Sequence, residues 1–110
     1  MIEINVNMKE YCVEVKGHAN SAPKGEDIIC AGISALFYTL YEVLEQNKVM
    51  LEKNSLKSIM DDGNGTVFCK PKKEYEGNVQ MMYLTILTGF NLMAENYPDY
   101  IKMVVGRNED

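Results

Sequence analysis

Residues 13–44 read VEVKGHANSAPKGEDIICAGISALFYTLYEVL, and within this one stretch the apolar period changes. Val13 and Val15 alternate with charged neighbours, the period of a half-buried strand. Ile29, Ile33, Leu36, Phe37, Leu40 and Leu44 recur every three or four residues, the stripe of an amphipathic helix running to about Asn47. Between them, residues 19–26 hold small residues with Pro23 and Gly25, which is loop chemistry. A strand therefore passes through a loop into a helix, and the rest of the chain is read outward from that unit.

Upstream, Ile2, Ile4 and Val6 alternate in the same way, so residues 1–16 form an antiparallel hairpin with Val13 and Val15 in its second strand. Cys12 shares a face with Glu14 and Lys16, a peripheral position. Downstream, residues 56–61 and 66–70 read as two strands joined by a turn at Asp62, Gly63, Asn64 and Gly65. Val79, Met82, Tyr83, Ile86, Leu87, Phe90 and Met93 give a second helix, ended near Tyr97 by Pro98. Ile101, Met103 and Val105 close with a strand. The order ββαββαβ implies an α+β fold, a single small domain with two helices on one face of a mixed or antiparallel sheet. The domain spans residues 1–106, and a charged tail occupies 107–110.

The 110 residues suit one core, and 46% hydrophobic with 25% charged residues suits a folded domain. A net charge of −5 argues against nucleic acid as a direct partner, since that binding rests on neutralising phosphates. The first residues are acidic and lack the apolar run of a signal peptide. By this reading no stretch approaches the roughly 18 apolar residues needed to cross a bilayer, so no membrane partner is expected. Cys12, Cys30 and Cys69 are odd in number and widely spaced, which suits reduced thiols in a cytoplasm.

The chemistry concentrates where the loop meets the helix. Asp27 suits the N-cap, which makes Cys30 the third helical residue and places Ser34 one turn further on the same side. A thiol attacks only as the thiolate. Free amides at a helix start favour that form and can hold a developing oxyanion, whereas Glu26 and Asp27 oppose ionisation. His18, the only histidine, ends a strand whose following loop returns to the helix, so it can reach Cys30 and take its proton. The plain alternative is a small buried cysteine and a hydrogen-bonded histidine at a strand end, and spacing alone leaves both readings open. A zinc site from Cys12, His18, Cys30 and Cys69 lacks any paired-ligand spacing, and neither a metal nor another cofactor is called for. Tyr38 and Tyr41 flank the Cys30 side of the helix, as groove or as packing.

These residues resemble a known family. Gly17-His18-Ala19, Gly25-Glu26-Asp27-Ile28-Ile29-Cys30-Ala31 and Ser34-Ala35-Leu36 are similar to the signature of the bacterial ribosomal-processing cysteine proteases, Prp, including the interval from histidine to cysteine. The resemblance extends over nearly the whole chain. It implies a cytoplasmic, homodimeric endopeptidase that removes an N-terminal extension from ribosomal protein L27, cutting beside an aromatic-containing stretch near a basic segment. It implies Cys30 as nucleophile and His18 as general base, with Gly17, Asp27 and Ser34 supporting them. Asn20, Ser21, Pro23 and Gly25 belong to a loop over the substrate that suits a mobile lid. The chain departs from the pattern at Asn20-Ser21-Ala22-Pro23-Lys24, where relatives more often carry another glycine and an aromatic, and at Gly32-Ile33, where Ala-Val is commoner. Relatives associated with prophages process phage structural proteins, a second substrate class. The competing reading from another functional class is a noncatalytic dimeric peptide-binding module that keeps the site's shape.

Overall fold

The computed structural model describes residues 1–17, 23–61 and 63–106, with the side chains of the first helix described from Ile28 onward. Five strands and two long helices follow one another as β1 (Ile2–Asn7), β2 (Cys12–Lys16), α1 (Pro23–Gln46), β3 (Lys57–Asp61), β4 (Asn64–Phe68), α2 (Glu76–Asn96) and β5 (Ile101–Val105). The ββαββαβ order of the sequence is thus the order of the fold. The sheet runs β3-β4-β2-β1-β5, antiparallel throughout except that β5 lies parallel to β1. It is a mixed sheet, and the parallel pair is possible because α2 supplies the long crossover that such a pair requires.

Alternation along the strands decides which face is covered. Ile2, Ile4, Val6, Val13, Val67 and Ile101 are buried, and they meet Ile29, Ile33, Phe37, Leu40 and Leu44 of α1 and Val79, Tyr83, Ile86 and Phe90 of α2 in one core. The intervening residues, among them Glu3, Asn5, Cys12 and Glu14, form the open face. Glycines let the two helices come close. A Cβ on Gly32 would lie 2.6 Å from the terminal methyl of Met93, and one on Gly89 would lie 2.6 Å from Leu36 Cδ2. Gly32 is the notch that receives Met93.

A buried polar knot holds the β1–β2 turn onto α2. The Tyr83 hydroxyl donates to the Tyr11 carbonyl at 2.7 Å, and it lies 3.5 Å from Cys69 Sγ. The Tyr11 and Tyr83 rings meet edge to face at 5.5 Å. Tyr11 itself has φ of 53°, a left-handed conformation unusual for a bulky residue, and the bond from Tyr83 helps to hold it there.

Three expectations are corrected. The helix starts at Pro23 rather than after Asp27, because proline carries a helical φ and lacks only the N–H that a first turn leaves unpaired. β4 begins at Asn64, two residues before the expected strand, and Gly63, with φ of 78°, is left to turn the chain. Ile28–Gln46 of α1 is, by length and composition, long and apolar enough to cross a bilayer, contrary to the reading that no stretch approaches this. Its stripe of Ile29, Ile33, Phe37, Leu40 and Leu44 is sealed into the core instead, as in the core helix of a globular domain. The tail from Arg107 lies outside the described residues.

Candidate active site

Cys30 is half-buried and faces a cleft of about 270 Å³ between the first half of α1 and one end of the sheet. Along the helix, Cys30, Ile33, Ser34, Phe37 and Tyr38 line it. Spacings of three and four residues put these side chains on neighbouring parts of one face. From the sheet come Ile2 of β1, Val15 of β2, Gly17, Met60 and Asp61 of β3, and Gly63, Asn64 and Gly65. Ser34, one turn beyond Cys30, is exposed at the cleft, as the spacing predicts.

Gly17 is fixed by its surroundings. Its φ is 89°, and a Cβ there would lie 2.6 Å from the Met1 carbonyl oxygen. Only glycine fits both the conformation and the space. Its N–H donates to the Gly63 carbonyl at 2.7 Å, which ties the end of β2 to the β3–β4 hairpin tip. The chain therefore leaves β2 at the cleft wall, and the residue bonded to Gly17 is His18.

The structure thus brings Gly17, Cys30 and Ser34 to one cleft. His18, Asn20 and Ser21 lie outside the described residues. Pro23, Gly25 and Asp27 belong to α1, so the expected loop of residues 19–26 is shortened by the helix and Asp27 is not its N-cap. Counting from Pro23, Cys30 is the eighth helical residue rather than the third. An α-helix leaves only its first four amides without a partner in the helix, so the expected oxyanion donors at Cys30 are already committed to the ladder. The macrodipole also fades within the first turn.

Two other thiols are held back from reaction. Burial pushes the Cys12 thiol up, and the Glu14 and Glu10 carboxylates push it further. Burial also raises the Cys69 thiol, partly offset by the Tyr83 hydroxyl beside it.

The hairpin side of the cleft was missed in the sequence, since Met60, Asp61 and Asn64 carry no motif that joins them to Cys30. Tyr38 was half-visible. It does line the cleft, whereas Tyr41 instead donates to Glu45 at 2.8 Å.

The family description "Cysteine protease Prp" matches residues 1–102. The chain belongs to this family. Membership in Prp makes the chain a cysteine protease, and so a hydrolase, of the ribosomal processing family. The ribosomal processing cysteine protease Prp of Mycoplasma genitalium is 28% identical over 98 residues, covering 89% of this chain and 91% of that one. Two structures of Prp from S. aureus share the fold at 21% identity, each over 96% of this chain. One, in complex with a covalently linked product peptide, matches over all of its own chain with a TM-score of 0.74. The other, in complex with a substrate peptide, matches over 97% with a TM-score of 0.68.

Proposed function

We propose that the chain is a Cys-His endopeptidase that removes the N-terminal extension of ribosomal protein L27. The observation that carries this reading is the placement of Cys30, half-buried and facing an open cleft whose wall includes Gly17, the residue bonded to His18. A thiol that served only as a core filler has no reason to face such a cleft. Peptides bound to the S. aureus relative support a peptide or protein substrate for this chain too.

In this reaction His18 takes the proton of Cys30, and the thiolate adds to the scissile carbonyl carbon. The tetrahedral oxyanion is held by hydrogen-bond donors at the cleft, among which the Ser34 hydroxyl is available. The C–N bond breaks as His18 returns the proton to the leaving amine. Water, deprotonated by His18, then attacks the thioester and releases the thiol and the new carboxylate. Asp27, one turn before Cys30 on the helix, supports the site. The chemistry balances with no cofactor. We place the enzyme in the cytoplasm, where thiols stay reduced. It works there as a homodimer, a state supported by the exposed Ile28, Tyr38, Met81, Leu84 and Leu92 of the helix layer.

The test is cleavage of peptides spanning the L27 extension, followed by mass spectrometry, with the protein and its Cys30→Ala variant. Cleavage that requires Cys30 is expected. Cys30-dependent cleavage of phage structural peptides alone would move the substrate to that class, and no cleavage of either would overturn the reading.

A further inference from the structure

The cleft contains a second device, built from the register of the sheet. Val15 on β2 pairs with Gly65 on β4, and Gly65 pairs with Met60 on β3. Residues paired across strands share a face, so Val15, Gly65 and Met60 form one row on the helix side. The middle of that row has no side chain. Phe37 of α1 descends into the gap: a Cβ on Gly65 would lie 2.9 Å from its Cζ and 3.1 Å from Cε2. The ring is 4% exposed, yet it lines the cleft together with all three residues of the row. Met60, 37% exposed on an edge strand, leaves its flexible thioether as the adjustable wall.

We propose that the Phe37–Gly65 pair sets the depth of a subsite for one large apolar side chain of the substrate, with Val15 and Met60 as its walls. Gly65 is then a specificity-determining residue. Its missing Cβ lets the Phe37 ring sit low, and any larger residue lifts the ring into the space the substrate would fill. The position of the subsite follows from the helix. Phe37 lies seven residues beyond Cys30, a rise of about 10 Å at 1.5 Å per residue. An extended peptide covers that distance in about three residues, so the side chain that enters belongs within three residues of the scissile bond. The inference rests on Cys30 being the nucleophile of the proposed reaction.

The experiment uses peptides of one cleavable sequence with Phe, Leu or Ala at each position within three residues of the cut. Binding is read by calorimetry on the Cys30→Ala protein, and kcat/KM on the protein with Cys30 intact. At one position the large side chain is preferred. Gly65→Ala lowers that preference about tenfold, the scale of a misfitted methylene in an apolar pocket. Phe37→Leu added to Gly65→Ala restores the preference. Met60→Ala, on an exposed edge strand, weakens it severalfold even if Gly65→Ala fails to fold. Unchanged selectivity in both the Gly65 and Met60 variants, or an equal loss for Phe, Leu and Ala peptides, overturns the inference. Selective binding without any Cys30-dependent cleavage would keep the subsite and overturn the proposed reaction.

Discussion

The amide of Gly17 donates a 2.7 Å hydrogen bond to the carbonyl of Gly63, and this bond joins two parts of the cleft that the sequence separates by dozens of residues. On one side is the exit from β2, on the other the tip of the β3–β4 hairpin. Gly17→Ala should break that junction. The left-handed φ of 89° costs a Cβ-bearing residue about 1–3 kcal/mol, and the contact with the Met1 carbonyl adds to it. Urea denaturation should register the stability loss, and peptide cleavage should fall further than stability alone explains. A Gly17→Ala protein of full stability and full activity would refute this.

Gly77 predicts the opposite sign. A Cβ there meets nothing within 4 Å, and the residue lies in the first turn of α2. Gly77→Ala should stabilise the domain by up to about 0.5–1 kcal/mol through reduced freedom of the unfolded chain, leaving cleavage unchanged. A thermal melt compared with wild type checks it.

The three thiols should separate by reactivity. At neutral pH, iodoacetamide should label Cys30 first, since Cys69 is buried and both Cys12 and Cys69 are raised in pKa. Those two should gain reactivity only above the ordinary thiol range of about 8.5. His18→Ala should slow Cys30 and leave the others unchanged. Mass spectrometry of the labelled peptides decides, and faster labelling of Cys12 or Cys69 in the folded protein would contradict the assignment of roles.

Tyr83 should shape stability at alkaline pH. Burial pushes its phenol far above the usual range, and the neighbouring Cys69 adds to the rise. The folded protein therefore keeps a proton that the unfolded chain releases near pH 10. Its contribution is complete below about pH 10 and is lost as the pH climbs beyond it. Tyr83→Phe should cost about 1–2 kcal/mol at neutral pH, because the Tyr11 carbonyl loses its donor. The same variant should flatten the alkaline fall, which denaturation curves at neutral pH and above pH 10 would show.

Local order was legible in the sequence, and long-range pairing was not. Alternation at Ile2, Ile4 and Val6 and the helical stripe from Ile29 to Leu44 each report a buried face, so the elements and their order followed from period alone. The start of α1 was hidden because Pro23 and Gly25 carry the chemistry of a loop, although a proline in a first helical turn costs nothing. Gly65 was read as a turn residue for the same reason. Its glycine is required by the Phe37 ring, a contact between distant parts of the chain that no local pattern encodes. Cys30 and Ser34 could be joined by helical spacing, whereas Met60 reaches their cleft only through the pairing of β3 with β4.

The parallel pairing of β5 with β1 also sets the order in which this enzyme can be assembled. Ile2, one wall of the cleft, donates its N–H to the Tyr100 carbonyl and pairs with Ile101, so its second neighbour comes from the far end of the fold. Contacts so distant along the chain form late. During synthesis α1 and the β3–β4 hairpin are complete while β1 still has an open edge. A nascent copy on its ribosome therefore carries the thiol before it carries a finished cleft, and its wall stays incomplete until the fifth strand docks.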